Sequence, residues 1–500
     1  MSRLLMLLAL LPGLSYAQLN CDIDSLPLLA EVRFTSVESV ARPVPHCKAS
    51  GIIGTEIRFE LLLPENWNGK FVMGGGGGFV GSVQNSSLAF GSLAAGYATV
   101  GTDTGHQNQG IDASWALHNL ERIVNFGHQA VHRTAVNAKS LISGYYGAEI
   151  ERNYFVGCSR GGGQALIEAQ RYPDDFDGIV AGAPAYSWSG IAAQGIQIQQ
   201  AMFPDPTNLS AAIISSAEQA MLEGMILSKC DAQDGIEDGI LNNPHQCDFS
   251  VAELPSCSAG DTDECFTQAE RSAISKIYDG PVDVMGKPIF YGYPLGGESD
   301  NGGWSAWLSG GTQSSSRNNG VQPIPNAHFG FSTGIMKYMV FHDPDWNYAT
   351  YQFDNFQNEA ANLAATLNAT NPDLSAFRDH GGKLLIYQGW SDSAISGDAT
   401  IGYYEQVLAN DPTANADVQL YMMPGVLHCA GGKGPSIVNF LDVIDQWVVS
   451  GNAPEEIIAS YPPGSQRTGT RPLCVYPQVA EYDGSGDEFD ASNFACVNPD

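Results

Sequence analysis

Short apolar runs set off by glycine, proline and polar turns recur along the 500 residues. Five of them read as strands: Lys70-Phe71-Val72-Met73, Asn153-Tyr154-Phe155-Val156, Gly178-Ile179-Val180-Ala181-Gly182, Lys383-Leu384-Leu385-Ile386-Tyr387 and Val418-Gln419-Leu420-Tyr421-Met422. After the second, the spacing becomes helical, with Ala165, Leu166 and Ala169 on one face and a stop at Tyr172-Pro173. Strands alternating with a helix make an α/β chain. Between the third and fourth strands the pattern breaks. Roughly 190 residues there hold several helical patterns, four cysteines and many Gly/Ser/Asn loops, including the stretch 309–316, and an insertion of that length is usually functional. The expected organisation is a core of residues 18–185 and 379–500 with a lid of 186–378 over its site, and no internal repeat at solenoid period.

The strand ends carry the candidate chemistry. Gly157-Cys158-Ser159-Arg160-Gly161 is a G-x-S-x-G pentapeptide between a strand and a helix. Glycines on both sides allow the tight turn, the serine Oγ projects from its tip, and the helix N-terminus favours developing negative charge. Asp392 closes Gly389-Trp390-Ser391-Asp392 after the fourth strand, and His428 follows the fifth beyond Pro424-Gly425. Serine, acid and base thus come in an order known for such elbows. His428 is expected to take the Ser159 proton, and Asp392 to orient the imidazole and stabilise its charged form. A random Asp and His are more often a turn residue and a core histidine; the matched order and the strand ends reverse that here. Cysteines stand beside both ends, Cys158 and Cys429. If these two are bridged, their Cα atoms lie about 4.4 to 6.8 Å apart, which pins Ser159 and His428 within reach of each other.

Such a serine needs donors for an oxyanion. The strand at Lys70–Met73 runs into five glycines, Gly74 to Gly78, whose bare N–H groups can approach a substrate carbonyl. Gly77 or Gly78 is expected to complete an oxyanion hole with the N–H of Arg160, the residue after the nucleophile. A phosphate cradle is disfavoured because the Lys-Ser/Thr ending of a P-loop is missing.

Composition changes the picture in two ways. The net charge is −31, from 54 acidic and 23 basic residues, which repels nucleic acid and anionic membranes and sets both aside as partners. Arg3 followed by the apolar Leu4–Leu11 and the small-residue site Ser15-Tyr16-Ala17 reads as a signal peptide over residues 1–17, so the chain is expected to be secreted, extracellular or periplasmic. No later run is long enough to span a bilayer. Ten cysteines in such a chain read as disulfides. Their spacing suggests local pairs, Cys21 with Cys47, Cys230 with Cys247, Cys257 with Cys265 and Cys474 with Cys496, though connectivity does not follow from spacing. Asn85, Asn208 and Asn368 open glycosylation sequons. Oligomeric state is unreadable.

Within the lid, Cys230-Asp231-Ala232-Gln233-Asp234-Gly235-Ile236-Glu237-Asp238-Gly239-Ile240 makes a tight loop whose oxygens can converge on a hard cation, at a spacing unlike an EF-hand.

Gly157-Cys158-Ser159, Asp392 and His428-Cys429 together resemble the CS-D-HC signature of the tannase and feruloyl esterase family, which includes hydrolases of mono(2-hydroxyethyl) terephthalate. Supporting stretches run from about residue 50 to 450: Thr102–His106, Ala130-Val131-His132, Arg171–Ile179, Gly182–Ala185 and Gly431-Gly432. The resemblance implies an α/β-hydrolase core with a large inserted lid domain and five bridges, Cys158–Cys429 joining the four local ones. It implies a structural Ca2+ held by the side chains of Asp231, Asp234 and Asp238 and the carbonyls of Ile236 and Ile240, and a place for Ile395 in the acyl pocket. It also implies a small aromatic ester as substrate. A feruloyl or other hydroxycinnamoyl ester of the plant cell-wall kind leads, with galloyl esters (a tannase) and terephthalate monoesters as alternatives. Trp304, Trp307, Phe329, Phe331, Tyr338 and Trp346 are candidates to stack on its ring, and Lys337 or Arg317 to pair with a substrate carboxylate. Two readings of other classes stand beside this: a secreted binding protein without activity, in which Ser159 would not be labelled by a phosphonate, and a serine peptidase, since a triad alone does not choose between ester and amide.

Overall fold

The computed structural model describes residues 20–258, 264–310 and 324–499. The expected signal peptide, most of the Gly/Ser-rich stretch at 309–316 and Arg317 lie outside them. Nine strands form one sheet: β1 (Val32–Val40), β2 (His46–Ile53), β3 (Ile57–Pro64), β4 (Lys70–Gly74), β5 (Ala98–Thr102), β6 (Arg152–Cys158), β7 (Gly178–Gly182), β8 (Lys383–Gly389) and β9 (Val418–Met423). Their order is β1-β2-β3-β5-β4-β6-β7-β8-β9. Pairing is antiparallel from β1 to β5 and parallel from β5 to β9.

The parallel strands read as unbroken apolar runs because both of their faces are covered. Alternate residues nonetheless go to different cores. Phe71, Met73, Phe155, Ile179, Ala181, Leu384, Ile386 and Leu420 pack on one face with residues of the helices α2 (Ala130–Tyr146), α3 (Arg160–Arg171) and α12 (Gly397–Asn410). Val72, Tyr154, Val156, Val180, Leu385, Tyr387 and Tyr421 pack on the other with α13 (Phe440–Ser450) and the hairpin of β10 (Glu456–Ser460) and β11 (Thr470–Cys474). A short α1 (Leu120–Val124) passes through a π-turn, Asn125–Gln129, into α2. The edge strand β1 has no buried residue, and its neighbour β2 alternates buried and half-buried positions, as a strand with one covered face does.

Between β7 and β8 the chain builds a helical insert with α4 (Trp188–Met202), α5 (Ser216–Cys230), α6 (Gln268–Asp279), α7 (Trp304–Trp307), α8 (Ala327–Ile335), α9 (Phe356–Glu359), α10 (Ala361–Leu367) and α11 (Ser375–Asp379). Capping boxes at Ser215/Glu218 and Thr267/Glu270 start α5 and α6. Most apolar residues of the insert form one cluster with Phe79, Trp115 and Phe126, the last from the π-turn before α2.

All ten cysteines are paired: Cys21–Cys47, Cys158–Cys429, Cys230–Cys247, Cys257–Cys265 and Cys474–Cys496. Cys158 and Cys429 are 271 residues apart in sequence and 6.0 Å apart at Cα. No helix among the described residues is long and apolar enough to cross a membrane.

Candidate functional site

β4 and β6 are parallel neighbours, but the chain leaves β4 toward β5 on one side and returns to β6 on the other. Such a reversal opens a crevice at the carboxyl ends of the strands, where ligands of α/β sheets bind. Ser159 follows β6 there and the glycine run follows β4.

The elbow is built on contacts that only glycine permits. A Cβ on Gly157 would meet the Gly161 carbonyl carbon and oxygen at 2.5 Å, and one on Gly75 would meet the Gly161 Cα at 2.6 Å. The chain can therefore turn from strand to helix within two residues, with the glycine run pressed on the first turn of α3. Ser159 takes the cost as φ 62°, ψ −122°, a backbone conformation that a non-glycine residue rarely holds. It is held by Ser159 N–H donating to Gly182 O at 3.0 Å and Ala185 N–H donating to Ser159 O at 2.9 Å.

The structure brings the three predicted side chains together. Ser159 Oγ lies 2.8 Å from His428 Nε2, and His428 Nδ1 lies 2.8 Å from Asp392 Oδ2. Asp392 is buried and surrounded by donors: Ala394 N–H at 2.8 Å and Ile395 N–H at 3.0 Å on Oδ1, and Gln388 Nε2 at 3.1 Å on Oδ2. A carboxylate so placed only accepts, so Nδ1 carries the proton it donates to Asp392, and Nε2 is left as the acceptor for the serine hydroxyl. Gln388 is itself fixed, its Oε1 accepting from Thr400 Oγ1 at 2.9 Å. Sequence reasoning missed Gln388; the signal was a lone amide in the apolar strand Leu384-Leu385-Ile386-Tyr387-Gln388. The arrangement can remove a proton from Ser159 and store it on an imidazolium faced by a buried negative charge.

The N–H groups of the glycine run are unequally engaged. Gly75 N–H donates to Val156 O at 2.9 Å, Gly76 N–H to Gln164 Oε1 at 3.0 Å and Gly77 N–H to Gln84 Oε1 at 2.7 Å. Among the described residues Gly78 N–H and Arg160 N–H have no partner; Arg160 opens α3, where no intrahelical acceptor exists. Thus Gly77, one of the two glycines expected to donate, already has its N–H on a side chain. The Arg160 guanidinium points away from solvent, with Nη2 on the carbonyls of Phe126 and Gly127 and the cation 4.4 Å over the Phe126 ring. Burial pushes it below the ordinary arginine range.

Ser159 and His428 open on a cavity of about 620 Å³. Trp188, Ile191, Trp307, Phe331 and Ile395 form its apolar walls. Of the six aromatics of the insert offered as stacking partners, Trp307 and Phe331 are there, with Trp307 set edge-on to His428 at 5.0 Å between ring centroids. The others are spent on packing: Trp304 is buried against Tyr278, Phe329 packs on Tyr348, Trp346 stacks on Phe341, and Tyr338 joins the same core. Lys337 does not line the cavity. Trp188 and Ile191, on α4, were not anticipated, because in sequence they look like any apolar helix face. His328 also lines the cavity; burial pushes it down to about 4, so it is neutral, and its Nε2 lies 2.7 Å from Tyr293 Oη. Asn85 belongs to the cavity wall and Asn368 bonds Ser189 through both amide atoms. Those two sequons therefore serve internal contacts, whereas Asn208 is exposed.

The acidic loop lies elsewhere, after α5. Asp231 accepts from Gly239 N–H and Ile240 N–H, Asp234 from Ile236 N–H, and Asp238 from Ile240 N–H. Arg471 bridges Asp234 at 2.8 Å and Asp238 at 3.3 Å. Burial raises the Asp234 and Asp238 carboxyls despite that arginine. Ile236 and Ile240 are buried residues, and their carbonyls accept no hydrogen bond from any described residue. The loop offers only hard oxygen donors, the kind that suits a divalent cation, but Arg471 stands between Asp234 and Asp238, and among the described residues the three aspartates are not gathered within one ion's reach.

Comparison with known proteins agrees with this geometry. The profile described as tannase and feruloyl esterase matches residues 41–497. The chain is 33% identical to the mono(2-hydroxyethyl) terephthalate hydrolase of Piscinibacter sakaiensis over 92% of its own length and 86% of that protein. It is 31% identical to a probable feruloyl esterase of Arthroderma benhamiae, over 87% and 81%. The crystal structure of feruloyl esterase B from Aspergillus oryzae superposes with a TM-score of 0.83 at 26% identity, covering 94% of this chain and 98% of that one.

Proposed function

The chain belongs to the tannase and feruloyl esterase family, and from that premise we propose that it is a secreted serine esterase acting on aromatic carboxylic acid esters, hydroxycinnamoyl esters first among them. The observation that carries the reading is the pair of 2.8 Å contacts from Ser159 Oγ to His428 Nε2 and from His428 Nδ1 to Asp392 Oδ2, at the mouth of an aromatic-walled cavity. Ser159 attacks the ester carbonyl while its proton passes to Nε2. The oxyanion forms against Arg160 N–H and a donor of the glycine run, and stabilising charge at such a point commonly lowers the barrier more than any other single effect. As the tetrahedral intermediate collapses, the imidazolium gives its proton to the leaving alcohol. Water, activated by the same His428, then releases the acid from the acyl-enzyme.

Trp188, Trp307 and Phe331 support a planar aromatic acyl group, because such faces stack on rings within a few ångströms at little entropic cost. Ile395 is assigned to the acyl wall: its N–H holds Asp392 and its side chain lines the cavity. The helical insert, 186–378, acts as the lid, since it supplies most of the cavity's apolar wall. The loop of Asp231, Asp234, Ile236, Asp238 and Ile240 is assigned a Ca2+ that stabilises the lid and takes no part in the chemistry. Export rests on the five disulfides, which persist in oxidising compartments.

The test is hydrolysis of methyl ferulate, methyl caffeate, propyl gallate and mono(2-hydroxyethyl) terephthalate by the wild type and Ser159→Ala. Turnover of one ester that is lost in the variant supports the reading and selects the acyl group. Absence of turnover together with failure of a fluorophosphonate to label Ser159 would move the assignment to a binding protein.

A further inference from the structure

Three successive N–H groups of the glycine run follow different acceptors, and the acceptors have a logic. Gly75 N–H is used by the sheet, on Val156 O. Gly76 and Gly77 N–H groups are used by two side-chain amides that approach from different elements: Gln164, buried on α3, and Gln84, half-buried where the chain pairs with Thr102 at the end of β5. Gly78 N–H is left unpartnered. Its φ of 55° and the Gly110 carbonyl, 2.4 Å from where a Cβ would stand, keep any other residue from that position.

We infer that Gln84 is a positioning residue for the oxyanion hole: by holding Gly77 N–H it fixes the peptide planes of the run so that Gly78 N–H, with Arg160 N–H, faces the developing charge. The inference rests on the esterase reading and deepens it. A glycine run free of side chains is the most mobile kind of backbone, and donors for an oxyanion act only when their direction is set before the reaction. Gln84 and Gln164 supply that restraint from two different elements. The competing arrangement has Gln84 Oε1 sitting in the hole itself as a plug. An oxyanion must lie within about 2.7 to 3.1 Å of both its donors. Gln84 Oε1 accepts from Gly77 but not from Arg160 N–H, so it lies off the point the two donors would share.

The experiment compares the wild type with Gln84→Met, which keeps the length of the side chain and removes the acceptor, and with Gln84→Ala. Steady-state kinetics are run on whichever ester of the panel turns over. In parallel, the second-order rate of Ser159 labelling by a fluorophosphonate is measured, because phosphonylation also builds charge on an oxygen in the hole and does not depend on the acyl group. Both variants are expected to lose about tenfold in kcat with KM changed less than twofold, a partial form of the 10²–10³ lost when a donor is removed outright. The labelling rate should fall in proportion. A rise in kcat would overturn the inference in favour of the plug. An unchanged kcat, or a raised KM with kcat kept, would overturn it in favour of a surface glutamine or a ground-state substrate contact. A melting temperature that stays within a few degrees of wild type separates these outcomes from misfolding; where Gln84→Ala melts early, Gln84→Met carries the comparison. Wild-type protein that is neither labelled nor active would instead remove the esterase reading itself.

Discussion

Replacing both Cys158 and Cys429 by alanine should slow turnover even under conditions where the protein stays fully folded. The bridge closes a loop of 271 residues, and the chain-entropy relation puts its upper contribution at about 5 to 6 kcal/mol. Because that relation is logarithmic, the short loops of Cys230–Cys247 and Cys257–Cys265 inside it change the figure little. Most of that contribution acts on the unfolded chain and leaves the folded geometry alone. The local effect is different in kind. Ser159 is held on its own side by the sheet and α3, through Gly182 and Ala185. His428 sits in a small hairpin tied by Val426 opposite Gly432 and by Leu427 N–H on Gly431 O at 3.2 Å, and Cys429 within it has φ 66°. Without the bridge the hairpin is the part that moves. A shift of about 1 Å takes a 2.8 Å contact beyond hydrogen-bond range and costs roughly 10² in rate, or about 2.7 kcal/mol of barrier. The assay is kcat on the best ester at a temperature where both proteins are fully folded by near-UV circular dichroism, beside their urea midpoints. A variant with lowered midpoint but wild-type kcat would refute the argument that the bridge sets the distance from Ser159 to His428.

Other outcomes follow from the same geometry. Asp392→Asn should lower kcat by roughly 10³ to 10⁴ with little loss of stability, since an amide at this point favours the wrong imidazole tautomer; kcat and a melting curve together test it. Glu298 is buried in the helical insert with Tyr278 Oη and Gly296 N–H on one oxygen, and burial pushes it up to about 7. Below the ordinary carboxyl range both folded and unfolded chains hold its proton. As pH rises to 7 the unfolded chain loses it first, so stability falls by on the order of 3 kcal/mol. Glu298→Gln should flatten that decline between pH 4.5 and 7 in urea titrations. Excess chelator should lower the melting temperature while initial rates at 25 °C stay constant; an unchanged melting curve would sink the cation assigned to the Asp231–Ile240 loop.

Much of the site was legible in the sequence because its signals are local. Gly157 and Gly161 bracket Ser159 since no side chain fits between strand and helix there, and that requirement is written in adjacent residues. Asp392 and His428 follow short apolar runs that read as strands, and the cysteines beside Ser159 and His428 mark a long-range contact in one-dimensional form. The even cysteine count and the short spacings belong to the same kind of information. What only the tertiary structure decided is whatever depends on direction. The switch at β4 and β6, which puts the glycine run beside the elbow, follows from strand order, and strand order leaves no pattern in a run of apolar residues. Trp188 and Trp304 have the same chemistry and similar neighbours, yet one faces the cavity and the other the core, because packing assigns a helix its rotation. The five glycines are equivalent as letters. Gln84 and Gln164, each far from them in chemistry or in chain, take two of their N–H groups and leave Gly78 free, a choice made by the acceptors that the fold brings within 3 Å.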